Sequence, residues 1–216
     1  MKYHKTTTLT TLVLISVLTS KGQGDTYNQL LDYSRPGKYH ELLAMTSGEW
    51  TWEGKRFSGH VNPDSNKVLM NISGTLSRKP FANGRFFIAE QISSGKLESP
   101  IQDGRMLKDN YRNVTLEGYD NVKKKFVRAV INNHLGSGIE LHFGTYDSTS
   151  HTISFDSEVE LLPNMRSKQR ERLILIDNDH YKQQLFDAVT NVMTDETLFT
   201  RIQKNSVRPR KYNSVH

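Results

Sequence analysis

Apolar residues that recur at every second position, in short runs cut by turn residues, leave this chain few folds to choose from. The plainest case lies between Val114 and Ile131. Val114, Leu116 and Gly118 share one side of a first run, and Val127, Ala129 and Ile131 share one side of a second. Between them stands Asp120-Asn121-Val122-Lys123-Lys124, in which Asp and Asn side chains hydrogen-bond nearby backbone or tolerate a left-handed conformation. The pattern predicts a β-hairpin. Related turn signals recur at Gly144-Thr145-Tyr146-Asp147-Ser148 and at Asp177-Asn178-Asp179-His180.

The remaining runs extend this into a series. Trp50 and Trp52, two apart on a strand over Glu49 to Phe57, project to one side. Val68, Met70, Ile72, Gly74 and Leu76 predict a second strand, Arg85 to Ile92 a third, and the hairpin supplies the fourth and fifth. Five more follow at Ile139–Tyr146, Ile153–Leu161, Gln169–Ile176, Tyr181–Val189 and Thr197–Gln203. Ser93 to Asn110 reads as the longest irregular stretch, the kind of segment that is more often functional than structural. Ahead of the strands, a helical turn is expected through Tyr27 to Tyr33. After the break at Pro36-Gly37, residues Tyr39, Leu42, Leu43 and Met45 fall on one helical face, predicting a two-turn helix that ends before Gly48. No long helix separates any two strands, so the expected class is all-β: an antiparallel up-and-down β-barrel of about ten strands with a short N-terminal helix. Closure would remove the edges of so large a sheet and leave an interior filled by side chains or wide enough for one small ligand. Which strand faces point inward is left open.

The chain has 216 residues, 35% of them hydrophobic, enough for one core. Lys2, His4 and Lys5 precede an apolar run from Leu9 to Leu18, and Gly22 and Gly24 follow as small residues. The run is far shorter than the roughly 20 residues of a membrane span, and the three zones together read as a signal peptide over residues 1–24, cleaved after Gly24. The expected mature protein is exported, to the periplasm or beyond, and has no transmembrane segment. Its parts are a lead and short helix over 25–47, a barrel domain over 48–204 and a basic tail over 205–216. Cysteine is absent, which removes disulfides, thiol nucleophiles and thiolate metal sites. Net charge is +6, and loss of Lys2, Lys5 and Lys21 with the leader leaves 26 basic against 23 acidic residues. An excess of three, partly in Arg208, Arg210 and Lys211 of the tail, does not suggest a nucleic-acid surface.

Catalytic and metal motifs are wanting. Glu158 and Glu160 lie two apart, as the carboxylates of a glycosidase-like pair would be, but Arg170 and Arg172 have the same spacing on the next strand. A turn centred near Met165 would set Glu160 opposite Arg170 and Glu158 opposite Arg172, as cross-strand ion pairs. His40, His60, His134, His142, His151 and His180 lack the spacing of a metal site, and neither Gly-x-Ser-x-Gly nor a phosphate-cradling glycine loop is present. The chain therefore reads as a binding or interaction protein rather than an enzyme, with no cofactor.

Several short motifs resemble an uncharacterised family of mostly exported bacterial proteins, domain of unknown function 1579. They are Pro36-Gly37 with His40, Leu43 and Gly48-Glu49-Trp50, then Gly84-Arg85-Phe86, and then Gly118-Tyr119-Asp120-Asn121 with Lys124-Lys125-Phe126-Val127. Gly144-Thr145-Tyr146-Asp147, Glu158, Pro163, Asp177 to His180, and Thr200-Arg201 continue the likeness over nearly the whole mature chain. Two positions depart from it: Ala129-Val130-Ile131 stands where the family tends to carry an aromatic, and the segment before Tyr111 lacks its Met- and Gly-rich pattern. The resemblance implies a lipocalin-like (calycin-like) barrel and no particular reaction. Gly48-Glu49-Trp50 also resembles the Gly-x-Trp signature of lipocalins, which implies that Trp50 closes one barrel end beneath an arginine of the last strand, here Arg201. The function expected is binding of a small, partly apolar molecule in the barrel cavity, with Trp52, Phe86, Tyr119, Phe143, Glu158 and Arg172 as candidate lining residues. The alternative is a non-enzymatic envelope interaction or scaffold module with a filled barrel, and a hydrolase using Glu158 and Glu160 is the poorer third.

Overall fold

The structure, a computed structural model, describes residues 24–58, 67–101, 105–134, 136 and 138–203. The leader before residue 24, the Asn62-Pro63-Asp64 loop and the basic tail lie outside the described residues. Helix α1 (24–34) and helix α2 (Lys38–Met45) precede ten strands. These are β1 (Gly48–Phe57), β2 (Val68–Phe81), β3 (Phe86–Ile101), β4 (Arg105–Asp120), β5 (Lys125–Asn132), β6 (Glu140–Asp147), β7 (Thr152–Leu162), β8 (Met165–Leu175), β9 (His180–Asp187) and β10 (Met193–Arg201). Each strand pairs antiparallel with its neighbours in sequence, and β1 pairs with β10, so the sheet closes into a barrel with the expected strand number and direction.

Turn chemistry sets the register of the hairpins as the sequence suggests. Between β4 and β5, the Asp120 carboxylate accepts from the N–H groups of Val122 and Lys123, both at 2.9 Å, and Lys124 takes the left-handed conformation at φ 53°. Asp147 and Asp177 do the same work in the β6–β7 and β8–β9 turns.

Two expectations are corrected. Over its described residues, 93–101 and 105–110, the stretch from Ser93 to Asn110 is not irregular: β3 and β4 run on as 16-residue strands, paired from Lys96↔Asn110 to Ile101↔Arg105 beyond a register shift after Ile92. The β7–β8 register also differs. The turn falls at Pro163-Asn164, with Asn164 at φ 67°, so Glu158 meets Lys168 and Glu160 meets Arg166, while Arg170 meets Asp156 and Arg172 meets Ser154. A turn one or two residues earlier moves every cross-strand partner by several positions.

The faces also resolve. The apolar stripe of the central hairpin points outward, and its polar-looking partners point inward. Thr115 and Glu117 of β4 and Phe126, Arg128 and Val130 of β5 are buried, whereas Val114, Leu116 and Ile131 are exposed. With Phe86, Leu141 and Phe143 they form an apolar patch on the outer face of β3 to β6. The core sits at the α2 end, where Leu43, Trp50, Trp52, Leu76, Phe87, Phe126, Ile153, Phe155, Leu173, Tyr181 and Phe199 pack together. Rings there meet edge to face or stacked, with Tyr181 on Phe199 at 4.3 Å and Trp50 against Tyr181 at 4.8 Å. Gly74 makes room for this packing: a Cβ on it would fall on the Ile92 carbonyl oxygen and lie 2.6 Å from the Trp52 ring.

Candidate functional site inside the barrel

The α2 end is shut by side chains that bind backbone. Arg201, on the last strand, lies over the Trp50 indole at 4.1 Å and donates to the carbonyls of Met45 (2.6 Å), Ser47 (2.5 Å) and Asn178 (2.7 Å). It thus ties the end of α2, the start of β1 and the β8–β9 turn to β10. The guanidinium explains the glycine of Gly48-Glu49-Trp50, since a Cβ at Gly48 would stand 2.7 Å from its Nη1, and Gly48 has φ 124°. Trp50 donates its Nε1–H to the Thr46 carbonyl at 3.0 Å, adding a bolt from barrel to helix.

Below this lid runs a buried chain of charges. Arg78 on β2 donates to the Thr46 hydroxyl above it and, at 2.7 Å, to Glu117 on β4. Glu117 stands 3.6 Å from Arg128 on β5, and Arg128 donates in turn to Glu171 on β8 and lies 4.1 Å over the Phe155 ring. All four side chains are buried. Burial works against the charge on Glu117, but the guanidiniums of Arg128 and Arg78 outweigh it and hold the carboxyl below its ordinary range. For Arg128, burial is likewise opposed by Glu117 and Glu171, and its pKa is raised. The four charges are matched among themselves and span the barrel from β2 to β8.

Beyond this chain the interior opens into a cavity of about 140 Å³. Its wall carries the inner ends of Arg78, Glu117, Arg128 and Glu171, an apolar flank from Leu76, Val130, Leu173 and Leu185, and the phenols Tyr111 and Tyr181. Toward the mouth opposite α2 stand five carboxamides, Gln91, Asn113, Asn132, Gln169 and Gln183, with Glu140 and His142. Burial pushes the Tyr111 phenol up to about 12, so it is neutral at physiological pH, and burial raises Tyr181 as well. Several wall atoms have no hydrogen-bond partner although they are shut off from solvent: both ring nitrogens of His142, the Tyr181 hydroxyl and the Nε atoms of Arg78 and Arg128. His142 Nε2 lies 3.5 Å from a Glu140 carboxylate oxygen. Among the described residues no cluster of three or more His, Asp or Glu side chains fits a metal ion, and no helix is long and apolar enough to cross a membrane.

The sequence-predicted residues divide. Trp52 is buried in the core, with its Nε1–H on the Thr75 carbonyl at 3.1 Å, and Tyr119 packs under α2 against Tyr39 and Phe126. Neither lines the cavity, because both belong to the filled α2 end. Phe86 and Phe143 are on the outer face, a correction that follows from the inverted hairpin pattern, since Phe87 and His142 take the inward positions beside them. Glu158 and Arg172 are also outside the cavity. Glu158 pairs with Arg166 and Lys168 in solvent, and Arg172 lies over Phe186 at 4.8 Å. Trp50 and Arg201 meet as described. The sequence reading missed Arg78, Glu117, Arg128 and Glu171, although each is in step with the inward residues around it: Arg78 two after Leu76, Glu171 two before Leu173. That step with the inward positions is the available signal.

The model of the family described as "Protein of unknown function (DUF1579)" matches residues 35–197, which takes in α2 and nearly all ten strands. The chain belongs to the DUF1579 family. No curated protein matches it. Among solved structures, Rv2717c from M. tuberculosis is similar at 14% identity and a TM-score of 0.48, covering 78% of this chain and 100% of that one. A redesigned β-barrel is similar at 12% identity and a TM-score of 0.33, over 74% of this chain and 94% of the other. A DUF3598 protein of unknown function from Nostoc punctiforme gives 9% identity and a TM-score of 0.23, over 77% and 100%. At these identities and scores the likenesses carry no argument about this DUF1579 chain.

Proposed function

We propose that this DUF1579 protein is a non-enzymatic binder of a small molecule, which it holds in the cavity of about 140 Å³ between the charged chain and the carboxamide mouth. One observation carries the reading: the cavity wall presents the His142 Nδ1 and the Tyr181 hydroxyl, buried and without a hydrogen-bond partner. A buried polar group with no partner costs on the order of 1 to 3 kcal/mol, a cost that a bound ligand would remove. The polar wall makes the ligand more hydrophilic than the sequence suggests. We place the protein outside the cytoplasm, on the strength of its signal-like leader. Native mass spectrometry of protein purified from its own host tests both points. A co-purifying small molecule and a mature chain beginning near Asp25 are expected; a ligand-free barrel would count against binding, and a retained Met1 against export.

A second reading has its own observation. Val114, Leu116, Ile131, Leu141 and Phe143 give the outer face of β3 to β6 large apolar side chains exposed by about a third to a half, a patch of the kind that marks an interaction surface. The occupant we assign is a second copy of the chain, which carries the same apolar face. Sedimentation equilibrium of Leu116→Glu beside the parent decides it: a dimer that becomes a monomer supports this reading, and a monomeric parent removes it.

A further inference from the structure

The cavity also restricts what kind of molecule fits. Resting on the binding reading above, we propose that the ligand is an uncharged polyhydroxy compound of about monosaccharide size. Size comes first. At roughly 10 to 15 Å³ of such space per water, a cavity of about 140 Å³ accepts on the order of ten non-hydrogen atoms, which excludes fatty acids and large planar cofactors.

Charge comes second. Arg78 and Arg128 are engaged by Glu117 and Glu171, at 2.7 Å for Arg78 to Glu117, and Glu140 lies 3.5 Å from His142. An anion entering the cavity would lose its hydration against guanidiniums that already hold carboxylates, with Glu140 at hand to repel it. A cation would find Glu117 and Glu171 already held by the two arginines, and Glu140 set beside His142. Charged ligands therefore find no unmatched counter-charge deep in the site.

Hydrogen-bonding capacity comes third. Apart from the Nε–H groups of Arg78 and Arg128, whose charge is already matched by Glu117 and Glu171, what is left over is two-sided. The Tyr181 hydroxyl donates and accepts, and His142 Nδ1 is buried with no hydrogen-bond partner. Gln91, Gln169 and Gln183 present carboxamides with both functions. Hydroxyl groups answer such a wall best, because each one also donates and accepts, and a ring of carbons bearing them has an apolar face to set against Leu76, Leu173 and Leu185.

Tyr181 supplies a clean variant. Its hydroxyl has no partner in the protein, while its ring is stacked on Phe199. Tyr181→Phe should therefore melt at or above the parent temperature when ligand-free, yet lose about tenfold in affinity, as one hydrogen bond commonly gives. The experiment titrates the full chain, freed of co-purified ligand by refolding from denaturant, with myo-inositol, D-glucose, D-gluconate and D-glucosamine in calorimetry. Heat from inositol or glucose, weakened in Tyr181→Phe and exceeding that from both charged probes, is expected. Tighter binding of gluconate or glucosamine overturns the charge argument, and binding indifferent to Tyr181→Phe overturns the placement. If no probe binds, the polyhydroxy assignment falls. Native mass spectrometry of host-purified protein then separates the two levels: a charged or apolar bound species leaves the binding function standing without this ligand class, and an empty barrel removes both.

Discussion

Arg201→Ala tests the closure of the barrel at its most connected side chain. The substitution removes the cover over Trp50 at 4.1 Å and three donors, to Met45, Ser47 and Asn178 carbonyls at 2.5 to 2.7 Å. Hydrogen bonds from charged donors contribute roughly 1.5 to 3 kcal/mol each where water cannot replace them. Here water reaches part of the site, because the arginine side chain keeps a quarter of its surface and the Asp179 carboxylate beside it keeps nearly half. The expected loss is therefore that of about one to two such bonds, some 2 to 4 kcal/mol, with the cation–π term of about 0.5 to 1 kcal/mol inside that range. For a domain of this length each kcal/mol lowers Tm by about 2 to 4 °C, so the drop should lie near 5 to 15 °C. Scanning calorimetry of the mature chain reads it directly. Arg201→Lys should recover only part of the loss, since lysine keeps the charge and lacks the planar fork. Arg172→Ala removes an arginine from the outer face, where it stacks on Phe186, and should cost about 1 kcal/mol or less. If Arg201→Ala and Arg172→Ala melted alike, the end-closure reasoning would be wrong.

Three further outcomes follow from the same geometry. Glu117→Gln leaves Arg78 and Arg128 buried with one carboxylate fewer between them and should cost about 3 to 5 kcal/mol by chemical denaturation, whereas a cost below 1 kcal/mol would show that water already solvates the chain. Gly74→Ala forces a methyl onto the Ile92 carbonyl and the Trp52 ring and should destabilise by about 1 to 3 kcal/mol or more; an unchanged melting curve would mean that β2 slides to accept it. Burial lowers the pKa of His40 below its ordinary 6.5, and its Nδ1 accepts the Gly37 N–H at 3.1 Å. The unfolded chain therefore binds this proton more readily than the folded one, so stability should fall as pH drops below about 6.5, down to the folded pKa. His134, lowered by burial as well, adds to the same slope. His40→Asn, which keeps an acceptor and cannot charge, should flatten Tm between pH 7 and pH 5.5, and an unaltered slope would refute the assignment.

The sequence announces the barrel because strand periodicity and turn chemistry are local. Asp120, Asp147 and Asp177 bond backbone within three residues, so their hairpins are readable without knowing what lies across the barrel. The interior is not readable in this way. Val114, Leu116, Val127, Ala129 and Ile131 satisfy any apolar-face criterion, yet the stripe faces outward while Glu117 and Arg128 face in, because those two charges neutralise each other only once β2, β4, β5 and β8 close around them. Phe86 and Phe143, expected in the cavity as aromatic side chains, lie on the same outer face. The β7–β8 ion pairs fail differently. Their residue types are right and their partners wrong, because the turn at Pro163-Asn164 sits a residue or two before the expected centre. Trp50 and Arg201 could be picked out because a resemblance, not a periodicity, pointed to residues 151 positions apart.

Nine of the ten strand pairings join consecutive strands, and only β1 with β10 joins distant ones, at Trp50↔Arg201 through Arg56↔Asp195. The barrel is in this respect a zip fastener with a single late seam. Contacts between neighbours form at small loop-closure cost, whereas the seam needs almost the whole chain in place before it gains anything. Folding should thus be limited by that seam, with substitutions at Arg56 or Asp195 slowing the final step and those in the β4–β5 hairpin altering earlier ones. The same arrangement means that the chain enters β1 and leaves β10 side by side at the α2 end. A linker from the end of β10 to the start of α1, which keeps α2 in place, with new ends cut in the β7–β8 turn, would move the seam to the new break and give a circularly permuted barrel whose slow step reports the relocation.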